Sequence, residues 1–182
     1  MTQEEIRLFV AATLPSPLKV NLQEQLQPFL QPAVRAVPLD NLHLTLFFIG
    51  NVPQQELPAI KQALAEVTKR HAPFTLFLAS TEAGPNAHSP RLIWARFQQH
   101  QAFEALSHDL VQALATEPPK KQKAIPHVTM ARFRKGQPTP KRLPALVPEH
   151  DYTLEVNSIA LWQSTLTSPH PVYTVLETYT LG

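Results

Sequence analysis

Asn41-Leu42-His43-Leu44-Thr45-Leu46-Phe47-Phe48-Ile49-Gly50 holds a β-strand, Leu42 to Ile49, closed by Gly50-Asn51, and Ile125-Pro126-His127-Val128-Thr129-Met130-Ala131-Arg132-Phe133 reads as the same strand a second time. Each carries His, an apolar residue, Thr and a second apolar residue. Side chains two apart on a strand share a face, roughly 7 Å apart along the chain. Each copy therefore sets an imidazole and a hydroxyl side by side. Leu44 and Leu46, or Val128 and Met130, point the other way, toward a core. Two such strands facing each other would gather two imidazoles and two hydroxyls around one small space, a constellation suited to acid–base chemistry on a phosphate.

Outward from these strands, the remaining segments alternate between two periods. Ile6 to Thr13 is rich in strand formers. Ser16 offers an N-cap and Pro17 a first helical position. Leu18, Leu22, Leu26 and Leu30 follow at helical spacing, with Pro28 expected to end or kink the helix. Val34 to Val37 is a short extended piece. Pro53 opens a second helix striped by Leu57, Ile60, Leu64 and Val67. Phe74 to Ala79 and Arg91 to Phe97 are strands around a polar turn, residues 81–90. Phe103, Leu106, Leu110 and Leu114 mark a third helix, and residues 134–150 a long loop rich in proline and charge. Two strands near Tyr152 to Trp162 and Val172 to Thr180 close the chain. Without a strict βαβ rhythm, the expected class is α+β with a largely antiparallel sheet. The paired motif predicts a duplicated half, each half a sheet with helices on its outer face.

Composition narrows the chemistry. The chain has 182 residues, 43% of them hydrophobic and 16% charged, enough for one sizeable core. It has no cysteine, which removes disulfides, thiolate catalysis and cysteine-bound zinc. Four glycines and neither GxGxxG nor GxxxxGK exclude a Gly-rich phosphate loop. The formal charge of +2 permits an anionic ligand. No run of about 18 apolar residues suggests a membrane span. The first charges, Glu4 and Glu5, are acidic where a secretory leader is basic. A soluble, cytoplasmic protein is expected.

The flanks extend the likeness. RLFVAATLP (7–15), NLHLTLFFIGNV (41–52), PFTLFL (73–78), RLIWARF (91–97) and PHVTMARF (126–133) resemble, in order, the bacterial and archaeal RNA 2′,3′-cyclic phosphodiesterases. These were formerly called 2′-5′ RNA ligases and belong to the two-histidine (2H) phosphoesterase superfamily. The resemblance implies a bilobal, pseudo-twofold α+β fold with a central cleft, residues 1–182 forming a single domain. It implies metal-independent opening of a 2′,3′-cyclic phosphate at an RNA end to a 2′-phosphomonoester. His43 is then the proton donor, His127 the proton acceptor, and Thr45, Thr129 and Arg132 the phosphate-binding residues. No cofactor or metal is implied, and the expected partner is RNA with a 2′,3′-cyclic phosphate terminus, bound by a monomer.

Alternatives stay open: 2′-5′ ligation or 2′-5′ phosphodiester cleavage, and a non-catalytic module that binds RNA ends. Many relatives read Trp-Leu-Gly where this chain has Trp94-Ala95-Arg96. Arg132 lies an odd number of residues from His127 and Thr129, so a regular strand would turn it away. A bulge or strand end is needed to bring it into the cleft. Neither motif has an acidic neighbour at metal-ligand spacing. Phe9, Phe47 and Trp94 are candidates for stacking a base, or for filling a core. Lys120, Lys121 and Lys123 form either a solvated loop or an electrostatic funnel. His71, His88, His100, His108, His150 and His170 read as solvated. Ser107-His108 is no catalytic dyad, because adjacent helical residues do not face each other and no GxSxG exists.

Overall fold

A computed structural model describes residues 2–117 and 123–182. Nine strands form one sheet. They are β1 (Glu5–Thr13), β2 (Val34–Ala36), β3 (His43–Pro53), β4 (Phe74–Gly84), β5 (Leu92–Phe97), β6 (His127–Phe133), β7 (Thr153–Val156), β8 (Ser158–Thr165) and β9 (Val172–Thr180). The helices among the described residues are α1 (Ser16–Leu26), α2 (Leu57–Thr68) and α3 (Gln101–Leu114), with short 3-10 turns between elements. The strand order is β7-β4-β5-β6-β3-β1-β8-β9, with β2 also on β6, and all pairings are antiparallel.

This order has two halves that repeat. β1 pairs with β3 as β5 pairs with β6, and the outer pairs β8/β9 and β4/β7 flank them. The halves meet at one register pair, Leu44 opposite Val128, the residues between His and Thr in the two motifs. Both are fully buried. An antiparallel pair has a local twofold axis, so a join centred here relates His43-Leu44-Thr45 to His127-Val128-Thr129. The two sheets expected from the duplication are thus one continuous sheet. The helices cross over: α1, from the first half, packs on β6, and α3, from the second, packs on β3. α2 lies against α3 and β9.

Alternation of side chains divides the sheet's faces. Leu8, Val10, Leu44, Ile93, Ala95 and Val128 enter the main core with the helices. Phe9, Ala11, Ala160 and Trp162 form a separate buried cluster on the concave side.

Several boundaries differ from those read in the sequence. Pro15 holds the N-cap of α1, Ser16 is already helical, and no side chain caps this end. α1 stops at Leu26, and Pro28 sits in a 3-10 turn, as expected of a proline that cannot continue the ladder. α2 begins at Leu57, after a 3-10 turn over Gln54–Glu56, not at Pro53. β3 and β4 run on to Pro53 and Gly84, because each has an antiparallel partner that far. The strand predicted from Tyr152 to Trp162 is two strands. β7 pairs with β4 and β8 pairs with β1, so the break at Asn157 is where the chain crosses from one half to the other.

Candidate active site

Both motif strands carry a bulge at the same place. Along β1, Val10 faces Phe47 and Ala11 faces Thr45, leaving Leu46 as the extra residue. Along β5, Ile93 faces Ala131 and Trp94 faces Thr129, leaving Met130 extra. Each bulge falls directly after the motif Thr. A bulge advances the strand by one residue without a partner and shifts the later alternation. Met130 and Ala131 are therefore both buried, and Arg132 comes out on the face of His127 and Thr129. The regular-strand objection to Arg132 is removed by this geometry. In the other half the equivalent position is Phe48, over which the Arg7 guanidinium stacks at 4.7 Å.

Each bulge leaves a backbone carbonyl to satisfy. Leu46 O accepts from the Ser107 hydroxyl of α3 at 3.0 Å, and Met130 O from the Val37 N–H at 2.9 Å. Ser107, excluded from a catalytic dyad by its place beside His108 on a helix, is a buried clamp on the first motif strand.

The imidazoles are oriented alike. His43 Nδ1 lies 2.7 Å from Asn41 O, and His127 Nδ1 lies 2.7 Å from Ile125 O, each two residues earlier. A carbonyl only accepts, so Nδ1 carries the hydrogen and Nε2 is left for the cleft. Their surroundings differ. His43 is boxed by Phe9, Tyr173 and Trp162 at centroid distances of 4.9, 5.3 and 5.6 Å, whereas His127 has Trp94 at 4.8 Å.

Burial pushes both histidines below the ordinary 6.5. The carbonyl bond at Nδ1 opposes this, while the charges of His127, Arg132 and Lys19 lower His43 further, and that of Arg132 lowers His127 further. Burial also raises the Tyr173 hydroxyl above its usual 10.0, with Arg132 and Arg7 opposing.

His43, Thr45, His127, Thr129 and Arg132 line one cleft of about 1230 Å³. With Arg132, six Lys or Arg side chains line it, the others being Arg7, Arg35, Lys123, Arg134 and Lys135. Its described lining contains no Asp or Glu, although the chain has 14 of them. Lys123 reaches Glu104 at 3.5 Å. Lys120 and Lys121 lie outside the described residues. Among the described residues no three His, Asp or Glu side chains cluster, and no helix is long and apolar enough to cross a membrane.

Of the aromatics proposed for stacking, Phe9 is buried in the concave cluster beside His43, Trp94 is buried against His127, and Phe47 packs on the main core at the cleft wall. Tyr173 was missed by the sequence reading, since nothing in VYTVLETY marks which of its residues reaches the first motif. Three of the histidines read as solvated have partners. His71 Nε2 meets Asp109 at 2.8 Å, His100 caps α3 by accepting from the Ala102 N–H, and His170 lines the cleft.

Comparisons with known proteins show the family and the fold. The sequence profile of the 2′-5′ RNA ligase superfamily matches residues 15–167. A Thermus thermophilus protein named RNA 2′,3′-cyclic phosphodiesterase is 35% identical, over 97% of this chain and 90% of its own. The crystal structure of TT0787 of Thermus thermophilus superposes with a TM-score of 0.81 at 33% identity, over 97% of this chain and 98% of that one. The structure of E. coli LigT complexed with 3′-AMP superposes with a TM-score of 0.78 at 27% identity, over 98% and 99%.

Proposed function

This chain belongs to the 2′-5′ RNA ligase superfamily, and on that footing we propose that it hydrolyses 2′,3′-cyclic phosphates at RNA ends to 2′-phosphomonoesters. The observation that carries the reading is the meeting of both His-x-Thr motifs on one cleft whose described charged lining is wholly basic. The relatives' name and the LigT complex with a nucleoside 3′-phosphate point to the same substrate class.

In this reading water attacks phosphorus in line with the 3′ oxygen. One P–O bond forms to water while the P–O3′ bond breaks. His127 Nε2 takes the water proton, and protonated His43 gives its Nε2 proton to O3′. The two rings end in exchanged protonation states and reset through solvent. Two groups in opposite states are needed because one imidazole cannot serve both ends of an in-line displacement. Each such transfer contributes typically about 10²–10⁴-fold. The Thr45 and Thr129 hydroxyls donate to the non-bridging oxygens, and Arg132 offsets the charge that grows there in the transition state. The direction, His43 donating and His127 accepting, follows the family likeness. The pair is near-symmetric: joining puts a 5′-hydroxyl in the place of water and keeps the roles, whereas re-closure of the cyclic phosphate exchanges them.

The proposal assigns the proton transfers to side chains and no step to a metal. The test is incubation of an oligonucleotide ending in a 2′,3′-cyclic phosphate, with and without EDTA, and identification of the product. A terminal 2′-phosphate formed equally in EDTA is expected. A 3′-phosphate, loss of turnover in EDTA, or saturable binding without product would contradict the reading. Joining of an added 5′-hydroxyl RNA as the main outcome would favour the ligase.

A further inference from the structure

β2 is three residues long and lies along the part of β6 that β3 leaves free. Its register sets Arg35 directly opposite Arg132. Directly opposed residues project to the same face with Cβ atoms about 4.5–5.5 Å apart, and like charges placed this way repel. Among the described residues neither guanidinium has an Asp or Glu within ion-pair distance. Instead Arg35 Nη2 sits 3.4 Å from His170 Nδ1.

His170 belongs to the β8–β9 connection, which comes from the opposite half. Its position is fixed by Asn41 Nδ2 donating to Pro171 O at 3.0 Å and by Thr167 Oγ1 donating to His170 O at 2.6 Å. Asn41 is also the residue whose carbonyl orients His43. Three basic side chains from three segments thus converge beside the motif histidines without a described countercharge. One phosphate engages Arg132 in the reading above, and the cleft's 1230 Å³ exceeds the roughly 300–1,000 Å³ of ordinary small-ligand pockets.

We propose that Arg35 and His170 form a second phosphate subsite, which takes the phosphate on O5′ of the terminal nucleoside while Arg132 serves the reacting one. The inference rests on the RNA-end reading of the cleft. The O5′ phosphate is either the phosphodiester to the preceding nucleotide or a free 5′-phosphate. Arg35 supplies a charged fork for its oxygens, and His170 a ring nitrogen that donates when that nitrogen is protonated.

Binding, read by calorimetry without need of turnover, tests this on three probes: adenosine 3′-phosphate, adenosine 3′,5′-bisphosphate, and the dinucleotide ApA bearing a 3′-phosphate. Wild type is expected to bind the latter two more tightly than the first. Arg35→Gln should weaken those two about 10-fold or more and affect adenosine 3′-phosphate much less. It should also make the salt dependence for the dinucleotide shallower by about one unit of slope. Arg35→Lys, which keeps the charge but not the fork, should recover part of the affinity and keep the wild-type salt slope, and His170→Gln should lose part of the affinity. Circular dichroism of each variant monitors folding. A gain for the dinucleotide alone assigns the subsite to a phosphodiester, and a gain for both probes to either source. Equal weakening of all three probes, or no change in any, overturns the subsite. A wild type that shows the difference in binding but hydrolyses no cyclic phosphate sinks the hydrolase reading and leaves the subsite standing.

Discussion

His43 and His127 each give one ring nitrogen to a carbonyl of their own chain and keep the other for the cleft. Burial makes protonation costly for both, so the free protein holds them mainly neutral at pH 7. The singly protonated pair that the mechanism needs is populated at lower pH. The profile of kcat/KM, which reports the free enzyme, should therefore be bell-shaped with its optimum below 6.5. That of kcat should lie higher, because a bound phosphate anion favours the imidazolium. An optimum of kcat/KM well above 7 would contradict this. The same shifts act on stability. The unfolded chain binds protons more readily at these two sites, so their contribution is fully present above pH 6.5 and is lost as pH falls through the lowered folded values. Melting temperature should fall less on acidification in His43→Gln/His127→Gln than in wild type. An identical fall would mean the rings are not desolvated as described.

At the scale of elements, the site depends on two bulges and what holds them. Removing the Ser107 hydroxyl leaves the Leu46 carbonyl without its donor. Ser107→Ala should cost about 1–3 kcal/mol in urea unfolding, and no change would show that the bulge does not need α3. Gly84 serves the other half. A Cβ there would lie 2.6 Å from Trp94 Cε2, and Trp94 is the ring against His127. Gly84→Ala should destabilise by about 1–3 kcal/mol through overpacking and lower kcat at temperatures where the variant is fully folded. Unchanged kcat would remove Trp94 from the orientation of His127. These supports explain what the sequence could and could not tell. The motif His and Thr residues were legible because period-two alternation is local. Arg132 was ambiguous because a bulge depends on a neighbouring strand, here β5, whose register no single strand reveals. Ser107 and Tyr173 were illegible for the same reason, their partners being far along the chain. The break at Asn157 went unseen because both flanking segments are good strands and only their different partners divide them.

At the scale of the whole molecule, the α+β class and the antiparallel sheet followed from the irregular order of strands and helices, and the doubling from the repeated motif. The single continuous sheet did not, because it rests on one pair, Leu44 with Val128. That pair makes the cleft a shared property of both halves, and its described charged lining is basic, as the proposed RNA substrate requires. Hydrolysis of an oligonucleotide substrate should accordingly weaken with salt, log kcat/KM falling linearly with log salt concentration. A flat dependence would mean that the cleft cations do not meet RNA phosphates. The most direct test of the central claim, that the two imidazoles act as one acid–base unit, is a cycle of His43→Ala, His127→Ala and the double variant, each assayed on RNA with a 2′,3′-cyclic phosphate end. Each single variant is predicted to lose about 10²–10⁴-fold in turnover, and the double variant to lose little more than either one. Near-full turnover by either single variant, or losses that simply multiply in the double variant, would contradict it.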